Sequence, residues 1–273
     1  MIRKNLILSD IDGTFLGKKS RLVPENVSAI ERFKSEGGLF AFASGRSEIT
    51  IHSVVPEAGK IANAPCILTN GSYIYDFAEK KVYFHTPMDG ELARDVLKEM
   101  AARFPDVAIR INRKDHFLSY RVNDKLKLDL AGYITEAKIM PFDEMPTDGW
   151  NKAIMRGDAD SLIIARKWIE ENYPGRFHIS LSASSMLELL HPEATKGIMV
   201  GHLRELFASR GVDVRIYAIG DYENDLELLA ASDIPVCPSN AMDKVQAICK
   251  KVLCHHDEGA VADLIGQIEK GIL

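Results

Sequence analysis

Short apolar runs alternate with amphipathic stretches through the first third and last third of this chain. That rhythm admits few folds other than βα units laid onto a parallel sheet. Leu6-Ile7-Leu8 reads as a buried strand. Pro24 opens a helix in which Val27, Ile30 and Phe33 recur at helical spacing, and Gly37-Gly38 ends it. A strand over 39–43 follows, then a helix to about Val55, then a strand at Cys66-Ile67-Leu68. Segments 73–75 and 82–84 form a hairpin at the sheet margin. From Thr195 the rhythm resumes: a helix to about Arg210, strand 214–219, helix 223–231, strand 234–236, helix 241–250, strand 252–253 and helix 259–269.

Between these halves the pattern changes. The spacing predicts helix 89–103, strands near 107–111 and 117–122, helix 129–137, strand 151–156, helix 159–172, and strands 177–182 and 186–191. Helices separated by strand pairs indicate an α+β module with an antiparallel sheet. The expected fold class is therefore α/β, a doubly wound, mostly parallel, Rossmann-like core with an inserted α+β domain. Its parts are 1–85 (core), 86–190 (insertion) and 191–273 (core), with Pro87 and Pro192 near the boundaries. A length of 273 residues suits one large or two modest domains.

Composition excludes several classes of function. Apolar residues at 46% and charged residues at 27% are the ordinary globular mix, not that of a disordered or collagen-like chain. No uncharged apolar run approaches the roughly 18 residues needed to cross a bilayer, and the run before Ser9 and Asp10 is too short for a secretory signal. A membrane partner is not expected, and the cytoplasm is the default location. The net charge is −5, without a cluster of Lys and Arg that could track a phosphate backbone, so nucleic acid is not an expected partner either. Cys66, Cys237, Cys249 and Cys254 lack CxxC spacing and suit a reducing compartment. Cys254-His255-His256-Asp257 has metal-binding residue types, but adjacent side chains are expected to point different ways, which favours a structural role.

The chemistry concentrates at strand ends. Asp10-Ile11-Asp12-Gly13-Thr14 places two carboxylates at i and i+2 just past the first strand, where open α/β sheets bind ligands. Gly13 lets the chain turn away, and Thr14 can cap it or hold a phosphate oxygen. The plain reading of this motif alone is a strand end capped by acids. A second acidic group, Gly220-Asp221-Tyr222-Glu223-Asn224-Asp225, follows another buried strand, so Asp10, Asp12 and Asp221 should converge. Clustered carboxylates repel unless a cation sits among them, and an all-oxygen set favours magnesium. Ser44-Gly45-Arg46 follows the second strand, where a hydroxyl and backbone amides can bind an oxyanion. Lys196, in Thr195-Lys196-Gly197, can neutralise a carboxylate and a phosphoryl group.

Asp10-x-Asp12-Gly13-Thr14, Ser44-Gly45-Arg46, Thr69-Asn70-Gly71, Lys196-Gly197 and Gly220-Asp221-x-x-Asn224-Asp225 occur in the order and spacing of the haloacid dehalogenase superfamily. The chain resembles its Cof-type sugar-phosphatase branch throughout its length, including the insertion, which in that branch is an α/β cap over the active site. Asp257-Glu258-Gly259-Ala260-Val261 resembles the closing segment of the branch. Phe15 departs from it, since Leu commonly follows the threonine directly, and this concerns packing.

The resemblance implies a magnesium-dependent phosphatase of small phosphorylated metabolites. Asp10 is then the nucleophile, Asp12 the general acid and base, and Lys196 a third catalytic group. The metal falls to Asp10, the Asp12 carbonyl and Asp221, with Asp225 and Asn224 bound directly or in support. Thr14, Ser44, Gly45, Arg46, Asn70, Lys196 and Asn224 are expected around the phosphate, with cap residues among 110–120 or 182–185 reading the rest of the substrate. Two rivals stay open: a phosphomutase of the same superfamily, and a non-enzymatic phospho-acceptor of the receiver type.

Overall fold

β1 (Ile2–Ser9) begins exposed and becomes fully buried from Leu6 onward, as a central strand covered on both faces must. The computed structural model describes residues 2–113, 116–131 and 137–273. After β1 come α1 (Pro24–Ser35), with proline in its first turn, β2 (Leu39–Phe42), and the short strands β3 (Cys66–Leu68), β4 (Tyr73–Asp76) and β5 (Lys81–His85). Next are α2 (Gly90–Arg103), β6 (Ala108–Asn112), β7 (Phe117–Arg121), α3 (Asp124–Ala131), β8 (Ala137–Ile139), β9 (Lys152–Arg156), α4 (Ala159–Asn172), β10 (His178–Ala183) and β11 (Met186–Leu190). The chain closes with α5 (Lys196–Ser209), β12 (Val212–Ile219), α6 (Leu226–Ala231), β13 (Ile234–Pro238), β14 (Lys251–Leu253) and α7 (Ala260–Glu269).

These elements form two compact units, Met1–His85 with Thr195–Leu273, and Thr86–Ala194. In the first, a parallel sheet runs β14-β13-β12-β1-β2. β3 extends it weakly, through the bridge Ala43–Ile67 and the Ser44 N–H donating to the Ile67 carbonyl at 2.8 Å, before pairing antiparallel with β4, which in turn pairs with β5. The path from β1 through α1 to β2 runs one way across the sheet, and that from β12 through α6 to β13 runs the other. Right-handed crossovers then put α1 and α6 on opposite faces. Accordingly, α1 packs against α7 and α5 against α6. Direction reverses between β1 and β12, so a crevice opens at their carboxyl ends. Beneath it Phe15, wholly buried, meets Phe42 edge-on at 5.2 Å between ring centroids, an arrangement worth about 0.5–1.5 kcal/mol beyond area burial.

The second unit is a six-stranded sheet, β8-β7-β6-β9-β11-β10, antiparallel except for the β7–β8 pair. Ile109, Ile111, Ala153, Met155, Leu187 and Leu189 form one core with residues of α2 and α4. Asp89 and Asp158 start those helices by accepting from the Leu92 and Ser161 amides.

Several expected elements differ. The helix to Val55 is a 3-10 turn, Thr50–Ser53. Ser47 and Thr50 bond each other's amides there (2.8 and 3.1 Å), and β-branched Ile49, Ile51, Val54 and Val55 surround them, so local side-chain bonds win over a helix. Helix 241–250 shrinks to Asp243–Gln246, and 223–231 divides into a tight turn, Glu223–Asp225, and α6. The helix expected over 129–137 lies partly on 132–136, outside the described residues. The helix seen is α3, which starts earlier, and Ala137–Ile139 is a strand instead. Among the described residues no helix is long and apolar enough to cross a membrane.

Candidate active site

β1 and β12 run in register up to Ser9 and Ile219, and each hands its acid straight into the crevice. The Asp10 amide donates to the Ile219 carbonyl at 2.9 Å, which ties the two strand ends together. Thr195 caps α5 by accepting from the Ile198 amide at 3.1 Å, so Lys196 sits in the first turn of the helix. Its ammonium, on a residue 1% exposed, donates to Asp10 Oδ1 at 2.8 Å and to Asp225 Oδ1 at 2.6 Å. The other oxygen of Asp225 accepts the amides of Asp221 and Tyr222 at 3.0 and 3.3 Å, which is why the chain turns too tightly there for an α-helix.

Oxygens of Asp10, Asp221 and Asp225 gather within 4.8 Å of one another. Burial, reinforced by Asp225, Asp221 and Asp12 against the pull of Lys196, holds the Asp10 carboxyl well above the ordinary range. Burial and Asp225 push Asp221 up to about 7. Burial alone would depress Lys196, but Asp10 and Asp225 hold it above the usual lysine value. Three acids around one ammonium are short of positive charge, and the missing charge is what a hard, oxygen-seeking divalent cation supplies. Gly13 preserves room for one: its φ is +84°, and a Cβ there would lie 2.5 Å from Asp221 Oδ2. The residues present fit magnesium.

The other expected residues divide by contact. Asp12 stands outside the carboxylate cluster, half-exposed, and takes a two-pronged bond from Arg46 at 2.7 and 2.8 Å. Thr14 donates to Asp221 Oδ1 at 2.8 Å and thereby fixes that acid. Ser44 is buried, with its hydroxyl accepting the Arg46 amide at 3.2 Å. Asn70, in the left-handed region at φ +54°, donates its backbone amide to the Ser44 carbonyl at 2.9 Å, and its side chain accepts from Asn224 at 3.3 Å. A Cβ on Gly45 would come within 2.9 Å of Asn70 Oδ1, so glycine keeps these two loops adjacent.

Sequence reasoning missed the brace behind these turns. Asn240 donates to the Gly13 carbonyl at 2.8 Å and accepts the His256 amide at 3.1 Å, while the Met242 amide donates to the Asp221 carbonyl at 3.0 Å. Lone asparagines in loops leave no pattern to read. The expected divergence of His255, His256 and Asp257 is corrected here, because their ligating atoms come within 4.8 Å of one another. The turn from His255 to Glu258 curls them together: the Glu258 amide donates to the His255 carbonyl at 2.8 Å, and the Asp257 amide to His255 Nδ1 at 3.2 Å. Their bonds are nonetheless structural, since His256 Nδ1 pairs with the Leu16 carbonyl at 2.6 Å and Asp257 accepts the Lys18 amide at 2.6 Å.

The sequence model of the haloacid dehalogenase-like hydrolases matches residues 7–265. The chain belongs to this family. As a haloacid dehalogenase-like hydrolase it is an enzyme, of the phosphoric monoester hydrolase class. Its relatives include the 5-amino-6-(5-phospho-D-ribitylamino)uracil phosphatase YwtE of Bacillus subtilis, 25% identical over 97% of this chain and 98% of that one. Another is the pyridoxal phosphate phosphatase YbhA of Escherichia coli, 24% identical over 95% and 96%. Among solved structures, a haloacid dehalogenase-like hydrolase from Bacteroides thetaiotaomicron superposes with a TM-score of 0.81 at 23% identity, over 97% of this hydrolase and 99% of that chain. A subclass IIB sugar phosphatase superposes at 0.84 and 17% identity, over 99% and 100%.

Proposed function

We propose that this hydrolase is a magnesium-dependent phosphatase of small phosphorylated metabolites that works through an aspartyl-phosphate on Asp10. The observation that carries the reading is the buried Asp10 carboxylate, held by Lys196 at 2.8 Å and clustered with Asp221 and Asp225 at the sheet's switch point. Asp10 attacks phosphorus in line, forming an oxygen–phosphorus bond as the ester oxygen departs, so one hard displacement becomes two easier ones. Asp12 protonates the departing oxygen, then takes a proton from the water that hydrolyses the aspartyl-phosphate. Arg46 orients Asp12 between these steps. Ser44, the Gly45 amide, Asn70 and Lys196 hold phosphoryl oxygens where charge spreads in the transition state. Asn224 steadies Asn70, and Thr14 steadies Asp221.

Asp10, Asp221 and the Asp12 carbonyl would hold the magnesium ion. When bound, the ion offsets the repulsion between an anionic nucleophile and an anionic phosphate. Both oxygens of Asp225 are engaged, which supports a role in holding Lys196 and the 221–222 turn beside the metal. Residues 86–190 serve as the cap that reads the rest of the substrate. Four free cysteines support a cytoplasmic setting.

The test is phosphate release from p-nitrophenyl phosphate with magnesium, with EDTA, and in Asp10→Asn. Release is expected only from the wild type with metal. Activity that survives Asp10→Asn removes Asp10 as nucleophile, and phosphoryl return to a sugar phosphate with little free phosphate makes the enzyme a mutase.

A further inference from the structure

Just past β3, three consecutive residues, Thr69, Asn70 and Gly71, have positive φ angles of 51°, 54° and 99°. Glycine takes such a backbone freely and asparagine tolerates it, whereas a β-branched residue there is a true outlier. Thr69 is held in place by bonds on every side. Its amide donates to the Arg46 carbonyl at 2.9 Å, its carbonyl accepts the Ser72 amide and hydroxyl at 3.1 and 3.0 Å, and its own hydroxyl donates to the Tyr73 hydroxyl at 3.1 Å. Tyr73 is 4% exposed and donates in turn to Glu48 Oε2 at 2.5 Å, while the Glu48 amide donates back to the same hydroxyl. A hydroxyl offers one hydrogen and two lone pairs, so Tyr73 uses all three. Burial, reinforced by the charge of Glu48, holds its pKa well above the usual tyrosine value, and the hydroxyl stays a donor. Glu48 itself is half-buried and lies two residues past Arg46.

Backbone strain persists only where the surroundings over-determine it, and it gathers where a group must be held ready for use. Here that group is Asn70, which the proposed function sets on a phosphoryl oxygen. The loops that carry Ser44 and Asn70 are joined by backbone bonds at their near ends, the Ser44 amide to the Ile67 carbonyl and the Asn70 amide to the Ser44 carbonyl. The Tyr73–Glu48 bond joins them again farther along. We infer that Tyr73 and Glu48 are positioning residues of the reaction: the tyrosine hydroxyl, anchored on Glu48, holds the strained 69–71 turn in the conformation that presents the Asn70 side chain to the phosphoryl group. The inference rests on the phosphatase reading and goes beyond it, since both residues act through Asn70. A tyrosine that only fills the core is a distinguishable alternative. Phenylalanine at 73 would keep the edge-on contact with the His85 ring, 6.1 Å between centroids, and lose the hydroxyl alone.

The experiment is a double-variant cycle on the full-length enzyme, read as kcat/KM for p-nitrophenyl phosphate with magnesium. Asn70→Gly removes the amide side chain and accepts φ +54° without strain. Tyr73→Phe is expected to lower kcat/KM about tenfold, since a displacement of about 1 Å in a positioned group can cost about 10²-fold. In the Asn70→Gly background the same change should cost less than about twofold, because the group it positions is gone. A tyrosine acting on folding alone would cost the same in both backgrounds. Glu48→Ala should reproduce the loss seen in Tyr73→Phe, and Glu48→Gln, which keeps an acceptor oxygen, should recover most of it. Tyr73→Phe as active as wild type, or an equal loss in both backgrounds, overturns the inference. So does Glu48→Gln no better than Glu48→Ala, because the role needs an acceptor at 48 and not a charge. Should Tyr73→Phe fail to fold, Glu48→Ala carries the same cycle. Wild type that releases phosphate from no ester, p-nitrophenyl phosphate included, overturns the phosphatase reading itself, an outcome distinct from additive losses in an active enzyme.

Discussion

Both units bury charge, and they do so in different ways. In the parallel-sheet unit Lys196 faces Asp10 and Asp225, with Asp221 close by, so acids outnumber the cation and two of them resist ionising. In the inserted unit Lys152 and Glu188 form a one-to-one pair on one face of the sheet. The first arrangement is short of positive charge and is built at strand ends, where turns can approach a ligand. The second matches one charge with one and is built on strands. One is suited to holding a further cation, the other is already balanced.

The largest effect expected is on chemistry. Asp10→Asn should cut phosphate release by about 10⁴-fold or more while circular dichroism stays native, since a nucleophile acts as part of a unit. Equal activity would show that the acid-rich cluster is no more reactive than the balanced pair. Next come the two lysines. Lys196→Met leaves Asp10 and Asp225 without their ammonium, and Lys152→Met strands Glu188; urea melts should show a loss of about 3–5 kcal/mol for the unit affected. Lys196→Met should also abolish turnover. A Lys152→Met melt indistinguishable from wild type would show its pair to be dispensable.

Gly71→Ala is smaller. Gly71 has φ +99°, and a Cβ there would sit 2.4 Å from the Thr195 carbonyl. Thermal melting should report a loss of about 1–3 kcal/mol. The smallest effect concerns pH. Asp10 and Asp221 are raised in the folded state, so from the ordinary carboxylate range up to about 7 the folded chain binds more protons than the unfolded one. Stability of the metal-free enzyme should therefore fall as pH rises through that window. Magnesium should restore it most above the window. Melting curves in EDTA that are flat or rise across it would contradict the raised carboxyls.

Asp10 and Asp221 were legible because their signal is local, an acid after an apolar run with a glycine where the chain must turn, whereas Asp12, expected to converge with them, stands outside the cluster on Arg46. The parallel sheet was legible for the same reason, through runs such as Leu6-Ile7-Leu8. What escaped depends on distant partners. Nothing around Lys196 announces that its ammonium is buried between two acids, and Asn240 acquires meaning only beside the Gly13 carbonyl. The turn at Thr50–Ser53 escaped because Ser47 and Thr50 compete with helical bonding, and Ala137–Ile139 because three residues are too few to show a period. In the inserted unit, the shared face of Ser119, Arg110 and Glu188 follows from register, which a single sequence does not display.

The bond between Asp10 and Lys196 joins residues 186 positions apart, with the whole inserted unit lying between them. Loop-closure entropy grows only logarithmically, each doubling of length adding about 0.6 kcal/mol. The pairing is thus nearly indifferent to how long the intervening segment is, and a different insertion could be carried at little thermodynamic expense. During synthesis the effect is stricter: until Lys196 has emerged, the first strand presents an acid without its counter-charge, so the buried cluster is among the last features of the chain to be completed.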